Sequence, residues 1–316
     1  MSLADRKPPT AEEYASWRQR FSNWGRWGEK DNFGTLNHIT PDVRRAAAAL
    51  VREGRSVSLG RPINTRASAQ NPYPARFYVG AQGAGGGEYI GLTFHGFAQT
   101  HIDALCHITV DGQAGRVFYN NAPVGPNPYF PAEHTLTIDF WRDGIITRGV
   151  LYDIPRLRGT EYVTADTPVH GWDLQDAAKA EGIEPRPGDA VLVRMGFEEY
   201  YAAHPDESPG WGPPGGLHAS AIEFLYDTNA ALLSWDMMEA PGQDAVIPNP
   251  LTTTPTMTHI HALINPYMGM PMVDNAYFGQ LARVCAEIGR WEVMYTLAPM
   301  IIVGATGSYV NPVAVY

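Results

Sequence analysis

Apolar positions recur along this chain in two rhythms. Short dense runs that suit buried strands fall at 56–63, 88–95, 100–105, 146–154, 190–196, 231–237 and 291–304. Helical spacing marks 11–24, 172–182, 218–229 and 275–289. In the last of these Phe278, Leu281, Ala282, Cys285 and Ile288 form one stripe that reads as core packing. A further helix starts at Thr40-Pro41, with threonine as cap and proline in the first turn, and is expected to end at Gly54. Residues 64–87, closing in GAQGAGGGE, read as a long loop, and 111–134 as irregular chain. Strands and helices mix along the whole length, which predicts an α/β protein with long loops. Residues 1–40 are expected to form an N-terminal arm and 41–316 the single domain proper.

Composition narrows the classes. A 316-residue chain that is 44% hydrophobic can build a sizeable core. Its net charge of −10 and lack of any basic run argue against a nucleic-acid partner. No apolar run is long enough to span a bilayer, and residues 1–30 carry acidic groups where a secretory leader would be apolar. Cys106 and Cys285 alone supply neither a disulfide framework nor a thiolate metal site. The expectation is a cytoplasmic protein that meets a small molecule, with no nucleic acid and no membrane.

The chemistry concentrates in HGFAQTHIDALCH, residues 95–107. On a strand, side chains two apart share a face about 6.6 Å apart, so His101 and Asp103 point the same way and their tips can share a metal. His107 has the same parity but lies beyond the strand's expected end. His95 lies about 20 Å from His101 if the chain is extended, and can join only if Gly96–Thr100 bend, for which Gly96 is suited. A later stretch, THIHALINPYMGMPMVDN at 258–275, offers His259, His261 and Asp274. Asp274-Asn275 ahead of a helix also reads as an N-cap, and His259 or His261 as a core histidine. On spacing alone the first stretch supports either a metal site or a polar strand face.

These residues carry a resemblance. THIDALCH at 100–107 resembles the H-x-G-T-H-x-D-x-P-x-H signature of the metal-dependent cyclase family, which includes bacterial kynurenine formamidases and isatin hydrolase. WGEKDNFGTLNHIT (27–40), LVREGRSVSLGRPI (50–63), RPGDAVLVRMG (186–196) and GATGSYVNP (304–312) look like further landmarks of that family in the same order. The resemblance implies a swivelling β/β/α fold and a homo-oligomer, dimer or tetramer. It also implies one or two divalent ions, Zn²⁺ or Mn²⁺, and hydrolysis of a cyclic or aryl amide or lactone by metal-activated water.

Carried over by position, it makes His101, Asp103 and His261 metal ligands, with Asp103 able to bridge two ions, and His107 the general acid/base. Asp274 stands where the family has a ligand glutamate. The family's first histidine falls on Phe97 and its glycine on Gln99, leaving His95 as the replacement ligand, displaced by two residues. Phe94, Phe97 and Tyr119 are the expected aromatic lining of a substrate pocket. Two other readings stay open: a metal- or ligand-binding member of the same fold without turnover, and a cysteine hydrolase built on Cys106.

Overall fold

Successive residues of the central strands alternate between two apolar clusters, and this alternation sets the architecture. Val150, Tyr152, Val191, Val193, Leu233 and Trp235 join one cluster. Their sequence neighbours Leu151, Leu192 and Leu232 join the other. A sheet buried on both faces requires helices on both faces. In the computed structural model, which describes residues 2–112, 115–209, 215–240 and 259–316, helices Ala11–Arg20, Gly171–Ala180 and Ala221–Asp227 contribute to the first cluster. Helix Gly279–Ile288 contributes Leu281, Val284 and Cys285 to the second. Thr258, the first residue of the late histidine stretch, lies outside the described residues. Among those residues, no helix is long and apolar enough to cross a membrane.

The strands, in chain order, begin with β1 (Ser56–Ser58), β2 (Arg76–Gln82), β3 (Gly85–Gly91), β4 (His101–Asp103), β5 (Val110–Gly112) and β6 (Gly115–Val117). They continue with β7 (Ile145–Asp153), β8 (Ala190–Arg194), β9 (Leu232–Trp235), β10 (Met272–Asp274), β11 (Glu292–Leu297), β12 (Gly307–Tyr309) and β13 (Val313–Val315). Nine of them form one sheet in the order β1-β13-β11-β7-β8-β9-β10-β4-β12. Its centre, β7 to β10, is parallel, and every other pairing is antiparallel. In open α/β sheets sites gather at the carboxyl ends of parallel strands. Here Trp235 and Asp274 close β9 and β10 at that end, and antiparallel β4 enters there with His101.

Four expectations are corrected. The glycine-rich stretch at 64–87 is not all loop: β2 and β3 pair as a hairpin turning at Gly83, whose φ is +58°. A glycine run has no side chains to show a strand rhythm, and both faces of this ribbon are exposed, with Phe77, Tyr78, Val79 and Ile90 in solvent. The helix from Pro41 ends at Ala48 rather than Gly54, whose N–H instead meets the Tyr316 carbonyl. The run at 291–304 is a strand only to Leu297; Pro299 follows, and Ile301 and Val303 are exposed. The last helix begins at Gly279, so Asp274 does not cap it; the carboxylate of Glu198 does, at 3.0 and 3.1 Å from the Gly279 N–H.

The N-terminal segment packs into the first cluster rather than beside it. Tyr14, Trp17 and Phe21 are fully or nearly fully buried there. The Tyr14 hydroxyl donates to the His259 carbonyl at 2.6 Å, the Trp24 indole to Pro266 at 2.7 Å and the Asn23 amide to Met268 at 2.8 Å.

Candidate metal centre

The two-residue period of β4 and its register with β10 bring the ligands together. Asp274 lies opposite His101, Val273 opposite Ile102, and Met272 opposite Asp103. Ile102 and Val273 face the second cluster, so His101, Asp103 and Asp274 share the other face. His261, in the helical turn His261–Leu263, reaches the same point with Nε2 3.2 Å from Asp274 Oδ2.

His95 arrives by the bend its spacing required. Gly96 sits at φ +144°, a conformation that favours glycine. The bend is tied down from outside: the Asn275 amide donates to the carbonyls of Gly96 and Gln99 at 2.7 and 3.0 Å. The buried Arg61 guanidinium, stacked 3.4 Å over the Phe197 ring, donates to the Phe97 and Asp236 carbonyls. Gly307 on β12 leaves the room: a Cβ there would meet His95 Cε1 at 2.6 Å. The same Cβ would meet the Ile102 carbonyl at 2.6 Å, so Gly307→Ala is expected to displace both His95 and the β4 edge and to weaken metal binding on that half of the centre. Metal titration should resolve the loss, and an unchanged stoichiometry and affinity would show that His95 is dispensable.

Within this centre two ligand groups share one carboxylate. His95, His101 and Asp103 form one, and Asp103, His261 and Asp274 the other, each with its donor atoms within 4.8 Å of one another. His95 Nδ1 lies 3.0 Å from Asp103 Oδ1, His101 Nε2 lies 3.6 Å from it, and His101 Nε2 lies 3.7 Å from Asp274 Oδ2. Metal bonds of about 2.1 Å place ligand atoms about 3.4 Å apart in a tetrahedral site, so the spacing fits.

The protons fit as well. His101 Nδ1 donates to the Gln99 carbonyl at 2.8 Å, leaving Nε2 as a lone pair aimed inward. His95 Nδ1 and Asp103 Oδ1 are both buried and lie 3.0 Å apart, a spacing that either a proton on the imidazole or a cation between the two atoms satisfies. A bound ion would take the place of that proton and leave Nδ1 as a ligand.

Electrostatics agree. Burial alone would raise the Asp103 pKa, but the imidazoles of His107, His95 and His101 hold this carboxyl well below the usual range. His261 is buried too, which opposes its charge, yet Glu239 and Asp274 hold its pKa well above the ordinary value. A metal at Nε2 would take the place of the proton those carboxylates favour. Burial lowers the His107 pKa to about 4, with Asp103 opposing the shift. Its ring stacks on His95 at 3.9 Å, and its Nε2 stands 3.7 Å from Asp103 Oδ2, outside both ligand groups.

Sequence reasoning missed Glu239 and Trp235. Glu239 Oε1 accepts from the His261 backbone N–H at 2.7 Å and from Nδ1 at 2.9 Å, which fixes the ring and directs Nε2 at the centre. The Trp235 indole donates to Asp274 Oδ1 at 2.5 Å, turning Oδ2 inward. Twenty-two residues separate Glu239 from His261, and no local spacing announces the pair. Glu239→Gln should cut metal affinity about 10- to 100-fold while leaving the fold intact, measured by competition with a chromogenic chelator.

A cavity of about 700 Å³ opens on the centre. Phe97 lines it; Phe94 instead packs behind, 4.8 Å from the His95 ring. Tyr119 is corrected: it is fully buried in the second cluster beneath Gly269, its hydroxyl 3.3 Å from Asp31. Phe118 and Tyr129 take the place expected of it. His259 is buried with its ring edge against Tyr14, away from the ligand groups. Cys106 is fully buried and its thiol pushed up to about 12 by that burial, which leaves no thiolate for a cysteine hydrolase.

Fold and site together define an α/β protein with a buried histidine–carboxylate cluster, able to hold a metal, at the carboxyl edge of its sheet. The sequence signature of the Cyclase family matches residues 57–240, and the chain belongs to that family. No curated protein matches the chain. A crystal structure described as a novel cyclase is similar over 95% of this chain and 99% of its own, at 24% identity and a TM-score of 0.78. Isatin hydrolase A from Ralstonia solanacearum is 17% identical, covering 88% of this chain and 98% of its own, with a TM-score of 0.55. Isatin hydrolase A from Labrenzia aggregata, bound to benzyl benzoate, is 16% identical, covering 89% and 98%, with a TM-score of 0.53. These likenesses show the shared fold, the β/β/α type that the family resemblance implies.

Proposed function

We propose that this protein is a divalent-metal-dependent hydrolase that opens a cyclic or aryl amide or lactone. The observation that carries the reading is the convergence of His95, His101, His261 and Asp274 on one buried carboxylate, Asp103, shared by two ligand groups beside an aromatic-walled cavity. The isatin hydrolase names among the structural neighbours fit the same chemistry.

His95, His101 and Asp103 would hold one ion and Asp103, His261 and Asp274 a second. Nitrogen and oxygen ligands without thiolate suit Zn²⁺ and Mn²⁺ alike. A divalent ion bound there supplies acidified water and a polarised carbonyl. His107, held neutral by burial, takes a proton as the water oxygen bonds to the carbonyl carbon. It returns that proton to the leaving nitrogen or oxygen as the old bond breaks. Phe97 and Phe118 give an aryl substrate an apolar wall and limit water at the reacting carbon. The reading includes a homo-oligomer, supported by the exposed two-faced ribbon β2–β3, since an isolated two-stranded ribbon is marginally stable in water.

The test is elemental analysis of wild type and His101→Ala, with hydrolysis of a panel of aryl formamides and aryl lactones. Zn or Mn at one or two equivalents, lost with activity in the variant, is the expected result. A wild type that binds neither ion after incubation, or binds without hydrolysing any of the panel, counts against an enzyme and favours a ligand-binding role.

A further inference from the structure

We propose that Arg116 makes this cavity selective for an anionic substrate, an aryl compound bearing a carboxylate or sulfonate besides the bond that is cut. This rests on the cavity being the substrate site. Arg116 lies on β6 and lines the cavity together with Phe97, Phe118 and Tyr129. Apart from the histidines it is the cavity's one basic side chain among the described residues. Among the described residues its guanidinium makes no ion pair or hydrogen bond, and Asp111 lies opposite it across the β5–β6 ladder.

Arg116 is exposed, so its guanidinium is free to turn toward a ligand in the cavity. Arg116 lines both this cavity and the outer groove that holds Asp111, and so stands at the boundary between them. A guanidinium offers a planar fork of donors that matches an oxyanion with two adjacent oxygens, which an ammonium does not. The apolar wall beside it takes a ring, while the metal ligands take a carbonyl. A ligand complementary to all three is an anionic aryl amide or lactone.

The probe is benzenesulfonate, a weak metal ligand, against methyl phenyl sulfone of similar shape and no charge. Calorimetric titration on metal-loaded wild type, Arg116→Gln and Arg116→Lys is expected to show sulfonate bound about tenfold more weakly by the glutamine variant. The lysine variant should retain part of the affinity, and the sulfone should bind all three alike. Equal sulfonate affinity in wild type and Arg116→Gln overturns the proposal, as does a sulfone that weakens in parallel. Because the readout is binding, failure of the hydrolase reading would show separately, as sulfonate held through Arg116 by a protein that hydrolyses nothing.

Discussion

Asp103→Asn is expected to empty the centre: both ions lost, and hydrolysis reduced to background. Asp103 belongs to both ligand groups, so its charge is the one feature no single neighbour can replace. The asparagine keeps the volume and one carbonyl oxygen but leaves three imidazoles facing a neutral amide, one nitrogen of which is a donor. Removing a residue that merely orients a ligand already costs about 10- to 100-fold in affinity. Loss of a shared anionic ligand should therefore exceed about a hundredfold. Thermal unfolding gives a second readout. Free metal at a hundred times its Kd stabilises a folded protein by about 2.7 kcal/mol. Wild type should therefore gain a few degrees in Tm on adding Zn²⁺ or Mn²⁺, and Asp103→Asn should gain none. A variant that still binds stoichiometric metal would mean that the donor atoms found here do not form the centre.

His107→Ala separates proton transfer from metal binding. His107 lies outside both ligand groups, yet its ring stacks on one ligand and points at another. The expected result is unchanged metal content and KM with kcat lower by about 10²- to 10⁴-fold, the usual worth of a positioned acid/base group. Metal lost with activity would make His107 a ligand, and activity retained would move proton transfer to solvent or to another group.

Half of this centre was legible in the sequence. The strand period alone placed His101 and Asp103 on one face, and Gly96 marked where the chain turns to return His95. The pairing of β4 with β10, which sets Asp274 opposite His101, joins residues about 170 apart and has no local signature. Glu239 and Trp235 share that long-range character. Tyr119 was misread because nearness in sequence to the histidines says nothing about side-chain direction: a 3-10 turn at Tyr119–Asn121 sends the ring into the core. The N-terminal arm shows the converse. Its helix was visible from spacing, while its place inside the main core rests on contacts with residues some 245 positions away.

Those contacts tie two ends of the chain into one thermodynamic unit. Tyr14 holds the carbonyl of His259, two residues before the candidate ligand His261, and Trp24 and Asn23 hold the turn that follows it. An ion that fixes His261 also fixes the seat of the arm, and an arm that is docked presents His261 already in place. The coupling would be reciprocal by linkage: a metal bound at His261 would shield the N-terminal segment from opening, and release of that segment would lower metal affinity by the same factor. A fragment confined to residues 57–240, the span that carries the family signature, would lack the arm and both His261 and Asp274, keeping only Asp103 of the second ligand group.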